Sequence, residues 1–101
     1  MITLKRQFEL EYNHKKLTVE QTKYYGGRYA LQAYEDGMPY ATLTVNLPAY
    51  DIDFPEVKHI FLDANNCPGI KSALEDAGLI QDTGYKVQSG YCMYPVVRWL
   101  R

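Results

Sequence analysis

The chain has 101 residues, enough for one domain with a core of its own and too few for a second beside it. Eleven Lys and Arg oppose twelve Asp and Glu, so overall charge draws the chain neither to nucleic acid nor to an anionic membrane. No apolar run approaches the ~20 residues of a membrane helix, the opening MITLKRQFELEY lacks the apolar region of a secretory leader, and Cys67 and Cys92 are the only thiols; a cytoplasmic protein with reduced cysteines and no membrane association is expected.

Residues 3–12 alternate loosely, with Leu4, Phe8 and Leu10 as the apolar members, and Asn13-His14 offers a turn. A strand over 16–24 follows, Leu17 and Val19 on one face and Thr18, Glu20 and Thr22 on the other. Gly26-Gly27 then lets the chain reverse into GRYALQAYEDGMPYATLTVNLP, residues 27–48, around which the fold is organised. Two arms rich in β-branched and aromatic residues flank Glu35-Asp36-Gly37, which predicts a β-hairpin serving as the sheet's central ribbon. Leu31, Ala33, Leu43 and Val45 read as its core face. Tyr34, Tyr40, Thr42 and Thr44 read as a half-wet outer face.

LPAYDIDFPE, residues 47–56, is bounded by prolines and predicts an ordered loop with part of Tyr50, Ile52 and Phe54 turned inward. A short strand over 57–62 leads to the one helix, 67–77, with Asn66 as N-cap, Pro68 in the first turn and Gly78 at the left-handed position after the last. Ile70, Ala73, Leu74 and Ala77 share its apolar face. Asp82-Thr83-Gly84 predicts a turn. Residues 85–100 are strand-like, interrupted at Ser89-Gly90 by a hairpin turn or a bulge, the hairpin preferred, and Pro95 requires an edge or a bulge. The fold class expected is α+β: a single domain, 1–101, whose antiparallel sheet of about five to seven strands carries one helix packed on one face.

ATLTVNLP at 41–48 and ALEDAGLIQDTGYKVQSGYCMYPV at 73–96 resemble a family of short uncharacterised proteins, domain of unknown function 4313. The resemblance covers about two-thirds of the chain. It implies a bacterial accessory protein of mobile genetic elements and phages, and carries over no activity, cofactor or catalytic residue.

Candidate chemistry is sparse. Cys67 at the start of the predicted helix lies where the macrodipole favours thiolate, and His59 precedes it by eight residues, so a cysteine-dependent enzyme is one reading; a small packing residue is the other. His14, His59, Cys67 and Cys92 lack the paired spacing of a zinc site. Asp51, Asp53, Glu56 and Asp63 offer oxygen ligands without the spacing of a calcium loop, and no phosphate-binding glycine motif is present; neither metal nor cofactor is expected.

Recognition surfaces remain. Ten tyrosines outnumber every other aromatic, and Tyr24, Tyr25, Tyr29, Tyr34 and Tyr40 cluster on and beside the hairpin, with Tyr85, Tyr91 and Tyr94 near the C-terminus. The leading expectation is a non-enzymatic interaction module whose interface comprises Tyr24, Tyr25, Tyr34, Tyr40, Thr42 and Thr44, its partner an unidentified protein or a second copy joined through edge strands. The alternative is single-stranded nucleic-acid binding. Residues 1–28 carry a net +3, from Lys5, Arg6, Lys15, Lys16, Lys23 and Arg28 against Glu9, Glu11 and Glu20, while residues 29–63 carry −5. Those cations would hold phosphates while tyrosines stack on bases.

Overall fold

In the computed structural model, which describes residues 6–101, the chain forms eight strands and one α-helix: β1 (Arg6–Tyr12), β2 (Lys15–Lys23), β3 (Tyr29–Glu35), β4 (Met38–Thr42), β5 (Thr44–Val45), β6 (His59–Leu62), α1 (Ile70–Asp76), β7 (Ile80–Ser89) and β8 (Cys92–Trp99). Of the first predicted strand, Thr3, Leu4 and Lys5 lie outside the described residues. The molecule is α+β and antiparallel, but its strands divide into two four-stranded sheets, ordered β1-β2-β3-β4 and β5-β6-β8-β7.

The division falls inside the predicted hairpin. Asp36 and Gly37, at φ 49° and 80°, make its two-residue turn as expected, closing the Glu35↔Met38 pair. The second arm, however, leaves its sheet at Leu43. The Leu43 N–H donates to Leu31 O in the first sheet, while its carbonyl accepts the Asp63 N–H at the end of β6. Thr44 and Val45 then pair with Leu62 and Phe61 in the second sheet. The ribbon is therefore the joint between two sheets, with β4 at the edge of one and β5 at the edge of the other.

Both sheets turn an apolar face to one core. Leu10, Leu17, Val19, Leu31 and Ala33 come from the first sheet, and Ile60, Leu62, Ile80, Val97 and Trp99 from the second. Trp99, the only tryptophan, is fully buried, meets Phe8 edge to face at 5.3 Å, and donates its indole N–H to Gln21 Oε1 at 2.9 Å. Because the sheets cover each other, α1 does not lie on a sheet face. It packs against the edge strands β1 and β7 and inserts Ile70 and Leu74 between the sheets.

The helix is shorter than predicted and Asn66 does not cap it. Asp63 holds the Asn66 backbone N–H (3.3 Å) and side-chain amide (2.8 Å), and the Cys67 N–H returns to Asp63 O, so 63–67 close as a separate turn. Gly69, at φ 80°, resets the chain and takes the N-cap position, leaving Cys67 and Pro68 ahead of the helix. The C-terminus follows the reading closely: with Gly78 left-handed, the Gly78 N–H reaches Glu75 O and the Leu79 N–H reaches Leu74 O, a Schellman motif joining two core leucines.

Asp82-Thr83-Gly84 is a bulge within β7 and not a turn. The Gly84 N–H bonds Asp82 Oδ1, the Tyr85 N–H bonds Thr83 Oγ1, and that hydroxyl donates to Val96 O, which ties the extra residues to β8 and lets the ladder resume. The 89–90 interruption is a hairpin turn, with Ser89 opposite Cys92. Pro95 lies one residue beyond the β6 ladder, which ends at Val96, so its missing N–H breaks no bond on that side.

Candidate functional site

The loop between β5 and β6 forms a strap over the second sheet's outer face. Tyr50 and Phe54 pack on a second cluster, Phe61, Val87 and Val96, and the Tyr50 hydroxyl donates to Gln88 O. Arg28, only 6% exposed, anchors the strap. Its Nη2 donates to Asp51 Oδ1 (2.7 Å) and Phe54 O (2.6 Å), its Nη1 to Glu56 O (3.1 Å) and His59 O, and its guanidinium lies 4.8 Å from the Phe61 ring centre. Arg28 is thus occupied inside the molecule and cannot serve as a phosphate contact. Its residue type gave no hint of this, because every partner is more than twenty positions away.

The six predicted interface residues separate into four groups. Tyr24 and Thr44 face each other inside the molecule, hydroxyl to Oγ1 at 2.8 Å, and Thr44 Oγ1 also accepts the Leu31 N–H; burial raises the Tyr24 pKa. Tyr40 is the extra residue of a bulge between the Ala33↔Ala41 and Tyr34↔Pro39 pairs. The bulge brings it against the core side, where its ring meets Tyr12 edge to face at 6.4 Å and Asn13 Nδ2 donates to its hydroxyl. Tyr34 and Thr42 do stand on the outer face: Tyr34 lines a shallow depression with Thr18 and Glu20, and Thr42 donates to Gln32. Tyr25 projects from the β2–β3 turn, fully exposed. It stands at the rim of a cleft of about 340 Å³ walled by Pro48, Pro55 and Val57, with Arg28 and Asp51 among its lining.

The other candidate groups are also dispersed. Cys67 is buried, its Sγ 3.9 Å from Thr42 O, and burial and then Asp63 push its thiol pKa up, opposite to what an activated nucleophile needs. The acidic loop is divided among partners, Asp51 with Arg28, Glu56 with Arg98 and Asp63 with Asn66. Among the described residues no three His, Cys, Asp or Glu side chains gather where they could hold a metal ion.

Nor do the basic residues form a strip. Arg6 lies over Phe8 and Lys23 over Tyr29, Lys15 pairs with Glu35 at 3.0 Å, and Lys16 stands opposite Glu11 in the ladder. Lys5 lies outside the described residues.

Sequence reasoning missed a cleft of about 620 Å³ between the β1–β2 turn and α1, lined by Glu11, His14 and Asp76 among others. Its walls are more than fifty residues apart in the chain, so no local pattern announces it.

The arrangement defines a small two-sheet α+β scaffold with clefts at two of its loops. Among the described residues no helix is long and apolar enough to cross a membrane. The chain belongs to the family described as a domain of unknown function, DUF4313, which matches residues 16–101 and so takes in the segments around the strap as well as the two quoted motifs. No curated protein and no solved structure matches it.

Proposed function

We propose that the protein is a non-enzymatic interaction module, an accessory of a mobile genetic element, that binds a protein partner through Tyr25 and the cleft beside it. The exposure of Tyr25 carries this reading. A fully solvated aromatic side chain at the rim of a pocket walled by Pro48, Pro55 and Val57 has the composition of an interface anchor, which contributes large contact area at low entropic cost. The walls are organised in advance, because Arg28 fixes the strap at four points and little further ordering is needed on binding. Val57 and Ile52, exposed on the same strap, extend the apolar surface.

The test is affinity capture from cells that carry the gene, comparing wild type with Tyr25→Ala and with Tyr34→Ala on the sheet's outer face. A partner retained by wild type and by Tyr34→Ala but lost with Tyr25→Ala is the expected result. No partner above background, together with a monomeric mass by light scattering, rejects the reading.

A further inference from the structure

We propose that the cleft beside Tyr25 binds a proline-rich segment of the partner protein in the polyproline II conformation, an assignment that rests on the interaction reading above. The observation that extends that reading is an unpaired donor. Arg28 lines the cleft and is 6% exposed, yet its Nε, buried from solvent, has no hydrogen-bond partner among the described residues. A buried N–H without an acceptor is costly, and a ligand carbonyl placed against it removes the cost. Nε shares an edge of the guanidinium with Nη2, whose acceptors, Asp51 Oδ1 and Phe54 O, belong to the strap that walls the cleft. The Asp51 side chain is 55% exposed and held by that one bond, so it is free to turn aside for a carbonyl that bridges Nε and Nη2. The acceptor is neutral, because the Asp51 carboxylate at the same rim repels a phosphate or a second carboxylate.

The same cleft disfavours other peptide conformations. Strand addition needs a ladder of free backbone groups, and those of the β2–β3 turn are spent: the Tyr24 N–H donates to Arg28 O, the Gly27 N–H to Tyr24 O and the Tyr29 N–H to Val57 O. A helix keeps its interior carbonyls for itself. A polyproline II segment has no internal hydrogen bonds, so each carbonyl is free for a single side-chain donor, and its prolines bring no N–H that would need an acceptor. Its rings call for an aromatic face and a rigid apolar wall. Tyr25 supplies the first, and Pro48, Pro55 and Val57 supply the second.

The experiment is an NMR titration of the full chain with acetyl-hexaproline amide, using a blocked glycine-serine peptide of equal length as control. Hexaproline should shift the amides of Tyr25, Gly26, Asn46 and Val57 and move the Arg28 Nε–Hε signal downfield as it gains an acceptor. Tyr25→Phe, which keeps the ring, should bind as wild type, and Tyr25→Ala should weaken binding about tenfold. Both substitutions alter a fully exposed side chain and leave the core untouched. Absence of localised shifts, equal shifts with the control peptide, undiminished binding by Tyr25→Ala, or an Arg28 Nε–Hε signal that stays in place would each overturn the proposal. A cellular partner lost with Tyr25→Ala, beside a spectrum that hexaproline leaves unchanged, removes the proline assignment and keeps the interaction reading. Failure to capture any partner removes the reading and the assignment with it.

Discussion

A single buried guanidinium holds the strap in place. Arg28 satisfies three backbone carbonyls that would otherwise lie unpaired beneath the loop, and it pairs with the half-exposed carboxylate of Asp51. Arg28→Met is therefore expected to cost about 3 kcal/mol or more, because it leaves those three carbonyls without a donor. Arg28→Lys should recover little of the loss, since one ammonium cannot reproduce a planar fork serving acceptors on both terminal nitrogens. Urea unfolding of the three proteins checks this, and an Arg28→Lys midpoint equal to wild type would contradict it. The sequence places Arg28 next to Gly26-Gly27 in a segment with net positive charge, and from there it reads as a solvent-facing cation. Its role depends on the path of residues 51–59, which residue type does not encode. Tyr40 is a similar case: alternation assigns it to the outer face, and one extra residue in the ladder turns it around.

At the scale of elements, α1 is fastened to β7 by an ion pair, Lys71 Nζ to Asp82 Oδ2 at 2.8 Å. Hydrogen bonding from Lys71, then from the Gly84 N–H, holds the Asp82 carboxyl below the usual carboxylate range, and Arg98 does the same for Glu56. Depressed folded pKa values mean that the unfolded chain binds more protons in acid, so stability rises with pH. The contribution is complete above the ordinary carboxylate value and is lost as pH falls through the lower folded values. Asp82→Asn should flatten that acid limb below about pH 4, read from urea midpoints taken between neutral and acid pH; an unchanged slope would show that the pair contributes nothing.

The helix itself was legible at one end only. Gly78 after an apolar stripe signals the C-terminal motif without tertiary help. The N-terminal signal, Asn66 before Pro68, was overridden because Asp63 claims Asn66 for a tighter turn. Asp82-Thr83-Gly84 has the composition of a turn and becomes a bulge because Thr83 finds Val96 across the strand.

At the scale of the whole molecule, the α+β class and the antiparallel pairing were readable, since strand alternation and a helix ended by glycine are local signals, and the family was readable from its resemblance at 41–48 and 73–96. The existence of two sheets was not. Leu43 keeps the alternation of its strand while its N–H serves one sheet and its carbonyl the other, and alternation reports which face a residue takes, never which sheet. With one core shared by both sheets, neither should unfold alone. Trp99 fluorescence, which reports on that core, and far-ultraviolet circular dichroism, which reports on all strands, should give superimposable urea transitions. A transition in which one probe precedes the other would separate the sheets into independent units.

The strap also sets what evolution can alter in this chain. Arg28 grips it through Asp51, Phe54, Glu56 and His59, mostly by backbone carbonyls that every amino acid possesses. Side chains between those points, Ile52, Asp53 and Pro55, are exposed and free to be exchanged. The number of residues between them is not, because adding or removing one would slide the carbonyls out of reach of a guanidinium that cannot follow. Relatives should therefore differ widely in the strap's composition and hardly at all in its length, so that a partner-facing surface can diversify on a backbone of constant measure.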